Sequence, residues 1–118
     1  MTEVKMQMLY KGFSMDVSKG FIMDVSGHAE RSPDEQMNEC CAAVSTLCAA
    51  ALEAFTRFQD EQKGFALKTE SESGHVSISI CTMAVFEPEL QGMVNVLRAG
   101  FETIESTYPG RIHVGWEK

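Results

Sequence analysis

Two side chains able to do covalent chemistry fall close together in this sequence. Gly27-His28-Ala29 closes an alternating stretch, a polar connection follows, and Cys40-Cys41-Ala42-Ala43-Val44-Ser45 opens an alanine-rich helical run. A histidine at a strand end and a cysteine at the head of the next helix suit a Cys/His pair for acyl transfer, with a thiolate to attack a carbonyl and an imidazole to move the proton. The same two residues also read as a small core thiol and a hydrogen-bonded loop histidine, so the elements that carry them matter.

Val4, Met6, Met8 and Tyr10 alternate with polar residues, which predicts a first strand over residues 3–11. Residues 12–18 are echoed by residues 20–26 at six of seven positions, a single tandem copy that reads as a duplication lengthening a hairpin connection. The second strand is placed over residues 21–27, where the alternation runs directly into His28. A polar connection over residues 29–37 holds Pro33 and several acids. Beyond it Ala43, Leu47, Ala50, Ala51, Ala54, Phe55 and Phe58 give a dense helical pattern, a central buried helix that should end before Gly64 with Lys63 at its negative end. Residues 65–70 and 75–81 form a predicted hairpin around Ser71-Glu72-Ser73-Gly74, with Val76, Ile78 and Ile80 on the buried face. Pro88 opens a second helix whose stripe, including Leu90, Val94, Leu97 and Phe101, runs to the Pro109-Gly110 stop. Ile112, Val114 and Trp116 make a last strand. The predicted order is β-β-α-β-β-α-β, an α+β fold forming a single domain over residues 1–118, with a mostly antiparallel sheet packed with two helices.

Where the first helix starts decides the environment of its cysteines. Ser32-Pro33-Asp34-Glu35 is a capping box that would bury Cys41 two turns inside the helix. Asn38 is the other candidate cap and the preferred one, with residues 32–35 as a separate turn; it would put Cys41 in the first turn, where free amides and the helix dipole lower a thiol pKa and can hold an oxyanion.

Composition limits the function classes. A chain of 118 residues, 44% hydrophobic, is the size of one domain with its own core. Ten basic against seventeen acidic residues give a net charge of −7, which argues against direct nucleic-acid binding and favours a basic partner. The apolar stretch over residues 40–52 is too short for a bilayer and the first residues lack a signal-peptide pattern, so the expectation is a cytoplasmic protein with no membrane association and with Cys40, Cys41, Cys48 and Cys81 as reduced thiols.

The wording of the two blocks is more specific. Gly27-His28-Ala29, a short loop, then Cys41-Ala42-Ala43-Val44-Ser45 resembles the ribosomal-processing cysteine protease family Prp, whose signature reads Gly-His-Ala, a variable loop, then Asp-x-x-Cys-Ala-Ala-x-Ser. The resemblance implies a cytosolic cysteine endopeptidase, generally homodimeric and free of cofactors. It would remove a short N-terminal extension from the large-subunit ribosomal protein twenty-seven, cutting beside an aromatic-rich stretch. Carried over by position, it makes His28 the base and Cys41 the nucleophile, since Ser45 then stands four residues on; choosing Cys40 would put Val44 in the serine's place. Ser45, Gly27 and Asn38 are supporting positions. The family's acid is Asn38 here, which can cap a helix but cannot stabilise an imidazolium as a carboxylate would.

The remaining reactive residues read blandly. Cys48 and Cys40 are core thiols, with Cys40 alternatively a spectator beside the nucleophile. His75 and His113 read as surface residues, and Asp24 shares a strand face with Ser26 and His28, from which it could orient the imidazole. A zinc site from His28, Cys40 and Cys41 is disfavoured because adjacent cysteines are a poor ligand pair, so no metal is expected. The connection over residues 29–37 is a candidate lid. The loss of the acid at Asn38 keeps a second reading open, a non-catalytic ribosome-associated binding protein on the same fold.

Overall fold

The computed structural model of the chain describes residues 1–11, 18–27, 35–72 and 74–117. In chain order the elements are β1 (Thr2–Lys11), β2 (Ser18–Ser26), α1 (Glu35–Asp60), β3 (Gly64–Glu72), β4 (His75–Thr82), α2 (Glu87–Thr107) and β5 (Ile112–Glu117), with one 3-10 turn at Ala84–Phe86 before α2. The five strands form one sheet in the order β3-β4-β2-β1-β5. Every neighbouring pair is antiparallel except β1 and β5. This is the α+β architecture that the alternations and helical stripes predict.

Both helices pack on one face of the sheet. Val4 and Met6 of β1, Phe21, Met23 and Val25 of β2, and Ile78 and Ile80 of β4 are buried there. They meet Val44, Cys48 and Phe55 of α1 and Leu90, Val94 and Phe101 of α2 in a single core. The rings of Phe21 and Phe55 lie 5.7 Å apart at a 40° tilt, a geometry that adds to their area burial. Each such side chain withdrawn from water contributes about 1.5–3 kcal/mol. By length and composition α1 could cross a membrane; its apolar stripe of Cys40, Val44, Cys48, Ala51, Phe55 and Phe58 is instead buried in this core.

The opposite face of the sheet is polar over much of its extent, with Leu9, Ile22, Cys81 and Phe65 as its apolar members by register. The register aligns Ser77 of β4 with Asp24 of β2, Lys5 of β1 and Gly115 of β5 across it. Period-2 alternation produces both faces at once, since every strand that buries Val, Met or Ile on one side turns its polar residues to the other.

The elements depart from expectation at their ends. The prediction that α1 ends before Gly64 holds, but the left-handed residue that stops it is Gln62, at φ 62°. The Lys63 amide donates back to the Phe58 carbonyl at 3.1 Å, a Schellman-type closure. Gly64 is required for packing, because a Cβ there would stand 2.6 Å from the Phe58 ring. Thr82, fully buried at the end of β4, donates its hydroxyl to the Lys63 carbonyl at 2.7 Å and pins this connection.

The preference for Asn38 as helix cap is wrong. α1 already includes Glu35, Gln36 and Met37, so Asn38 is a helical residue in its first turn. These three are good helix formers and Glu35 suits the positive end of the dipole, so nothing in the segment ends the helix at Asn38. The proline and the rest of the capping box, residues 32–34, lie outside the described residues, as does the connection over residues 12–17.

Candidate active site

Three of the four cysteines sit on α1 and differ in their surroundings. Cys40 and Cys48 belong to the main hydrophobic cluster, while Cys41, one residue round the helix from Cys40, does not; Cys41 and Cys48 are equally buried, at 8% exposure. Burial pushes the Cys40 thiol up, the neighbouring Cys41 adds to the shift, and the positive charge of Arg111 opposes it. Burial alone pushes Cys48 up to about 11. Both core thiols are therefore protonated at neutral pH and are poor nucleophiles.

Cys41 is the seventh residue of α1 as described, so its own amide lies inside the i to i−4 ladder. An oxyanion hole made from first-turn amides at Cys41, expected with the Asn38 cap, is excluded by this placement. Asn38 itself is half-buried and lies three residues before Cys41 on the helix.

A groove of about 510 Å³ runs along the next turns of α1, and the helix cysteine that lines it is Cys48, not Cys41. One wall is α1 from Val44 to Leu52, the floor includes Val25 and Ile78, and the far wall is β3 at Thr69 and Ser71. Ser45, one turn beyond Cys41 on the same helix face, lies on its rim. Val25 comes three residues before His28 and Val44 three after Cys41, so the segments carrying both predicted catalytic residues border one groove.

His28 lies outside the described residues, together with residues 29–34 of the candidate lid; residues 35–37 of that segment are helical. The residue before it is well defined. Gly27 adopts φ +76°, and a Cβ at that position would stand 2.5 Å from the Met1 carbonyl oxygen. No side chain fits there without moving backbone, which gives the glycine of the Gly-His pair a structural reason.

The expectation that Asp24 shares a face with His28 falls on a residue outside the described ones. Asp24 lies on the polar face of the sheet, where its carboxylate is hydrogen-bonded to Nε2 of His75. His75 is thus more than a surface residue: it is half-buried, partnered by Asp24, and on the edge of the groove. The pair is 51 positions apart in sequence and meets only because β2 and β4 align Ser26 with His75. His113 is exposed, as expected. A substrate-binding groove was expected beside Cys41; its lining by Cys48 and by β3 was not. The one signal of that lining is β3, whose helix-facing positions Thr69 and Ser71 are polar and exposed where a covered strand would carry apolar residues.

A sheet covered on one face by two helices, the first of them cysteine-bearing and flanked by a groove, matches a known class. The model of the cysteine protease Prp family matches residues 8–113. The chain belongs to that family and is a cysteine protease.

Among solved structures, the ribosomal processing protease Prp from S. aureus in complex with a substrate peptide aligns over 99% of this chain and 100% of its own, at 18% identity and a TM-score of 0.60. SMU.848 from Streptococcus mutans aligns over 98% and 96%, at 16% identity and a TM-score of 0.63. At such identities these likenesses concern the fold. No curated protein matches the chain in sequence.

Proposed function

We propose that this protein is a ribosomal-processing endopeptidase that removes the N-terminal extension of the large-subunit ribosomal protein twenty-seven, with Cys41 as nucleophile and His28 as general base. The observation that carries this reading is the shared groove: the strand leading to His28 and the helix turn after Cys41 are two of its boundaries. His28 takes the thiol proton, Cys41 Sγ attacks the scissile carbonyl, and the proton passes to the leaving amine. Water then attacks the resulting thioester, giving up a proton to His28, and the carboxylate product leaves with the thiol restored. A relative from S. aureus has been solved with a covalently linked product peptide, which supports a covalent route in the family.

The compartment we propose is the cytoplasm, where the four free cysteines stay reduced. We also propose a homodimer, which would sediment at about 26 kDa, twice the 13.1 kDa of one chain. Exposed Val85 and Val96, each 73% accessible, are apolar surface available to such a contact. The replacement of the family's acid by Asn38 favours one other reading, a non-catalytic ribosome-associated protein.

Incubating the reduced protein with the extended ribosomal protein and following its mass separates the two readings. Loss of the extension with native protein, abolished in His28→Ala, supports the protease; an intact ribosomal protein bound by the native chain supports the alternative.

A further inference from the structure

Attack by Cys41 creates a negative charge that the first turns of α1 do not neutralise. When Sγ bonds to the scissile carbonyl carbon, the π pair moves onto the oxygen as an oxyanion. When the oxyanion collapses, the C–N bond breaks and the amine leaves with the proton from His28. The placement of Cys41 inside the helix withholds first-turn amides from this oxygen, Asn38 carries no charge, and the charged side chains of the first two turns, Glu35 and Glu39, are acidic. Positive charge at this point has to come from another element.

Arg111 lies at the same end of the sheet. In the order β2-β1-β5, Gly27 at the end of β2 abuts Met1 and Thr2, and the Thr2 amide donates to the Arg111 carbonyl at 3.1 Å. Two strand spacings of ~4.8 Å put Arg111 about 10 Å from the strand end that leads to His28. The Arg111 amide donates to the Tyr108 carbonyl at 3.2 Å and its Nη1 to the Pro109 carbonyl at 3.2 Å, so backbone on both sides fixes the residue. A guanidinium has five N–H donors, enough to keep such a bond and still meet an anion. Arg111 is half-buried, and Ile112 after it packs in the same cluster as Cys40. Its positive charge is felt at the Cys40 thiol, which places the guanidinium on the helix side of the sheet. Other cations are engaged elsewhere: Arg57 with Glu53, Lys63 with Glu61 and Glu89, and Arg98 with Glu102, while Lys5 and Lys68 fall on the open face by register.

We propose that Arg111 is the charge-stabilising residue of the cleavage reaction, its guanidinium meeting the oxyanion formed when Cys41 attacks the scissile carbonyl. The inference rests on Cys41 being the nucleophile. It gives the connection before β5 a function, since the Pro109-Gly110 turn, with Gly110 at φ 82°, delivers a cation to the thiol end from an element distant in sequence. A guanidinium keeps its charge at every working pH and presents its donors in a fixed plane. The oxyanion exists in the transition state and not in the bound substrate, so Arg111 acts on kcat and leaves KM alone.

The experiment compares the native protein with Arg111→Gln, Arg111→Lys and Arg57→Gln, the last removing an equal charge from the exposed far end of α1. With the extended ribosomal protein, Arg111→Gln should lower kcat about a hundredfold at unchanged KM, and Arg111→Lys should regain about tenfold of that loss. Arg57→Gln should match the native protein. The trifluoromethyl ketone of an acetylated leucyl-phenylalanine forms an adduct with the thiol that carries an oxyanion, and fluorine NMR should show it bound about a hundredfold more weakly by Arg111→Gln. Iodoacetamide forms an adduct without an oxyanion and should alkylate Cys41 of Arg111→Gln within about threefold of the native rate. A merely structural role would slow both reagents together. Native kcat in Arg111→Gln, equal ketone affinity, or alkylation lost along with ketone binding overturns the assignment of Arg111. An uncut ribosomal protein beside a ketone adduct that depends on Arg111 overturns that substrate and sustains the assignment. No ketone adduct on the native protein, or one on a thiol other than Cys41, overturns both.

Discussion

At the scale of single residues, the three cysteines of α1 show why position outranks residue type. Cys40, Cys41 and Cys48 are chemically equal in sequence, and packing separates them by placing two in the main hydrophobic cluster and leaving one outside it. The Cys48 thiol has a measurable consequence. In the unfolded chain it ionises near its usual 9.0, and in the folded protein only at about 11. Between those values the unfolded chain releases a proton that the folded protein keeps, so the contribution to stability is whole below pH 9 and is lost as pH rises through about 11. Urea midpoints at pH 8 and pH 10.5 should therefore fall more in the native protein than in Cys48→Ala.

The proposed register of the cysteine motif rests on Ser45 following Cys41 by one helical turn. The Asp24–His75 pair was not legible, since it depends on strand register that no local pattern encodes.

At the scale of elements, alternation and helical stripes place most strands and both helices, because each buries one face and declares it in period 2 or 3.6; β3, exposed along nearly all its length, was placed by its turn to β4. The ends were less legible. Helix formers at Glu35 to Met37 carry α1 past the Asn38 cap, and at its other end Gln62 takes a left-handed conformation ahead of Gly64. Gly27 is the element end that matters most for the site. Gly27→Ala should destabilise the protein by about 1–3 kcal/mol through the positive φ and the crowding against Met1. Since His28 follows directly, kcat should fall further than the folded fraction does. A thermal melt beside a cleavage assay run well below the midpoint tests this, and activity that tracks only the folded fraction would remove Gly27 from the positioning of His28.

At the scale of the whole molecule, a chain of net charge −7 is suited to a basic substrate through long-range attraction that salt screens. Raising ionic strength should raise KM for a basic ribosomal substrate several-fold while kcat stays constant. The class of fold was legible from element order alone, whereas the groove arises from how a long helix crosses the hairpin β3–β4.

The central claim, that Cys41 is the nucleophile, is tested most directly by covalent trapping. A peptidyl chloromethyl ketone carrying the residues before the cut of the ribosomal extension should alkylate Cys41 alone, as located by peptide mass mapping, and the adduct should be lost in Cys41→Ala but retained in Cys40→Ala. An adduct on Cys40 or Cys48, or none on the folded native protein, would contradict the account.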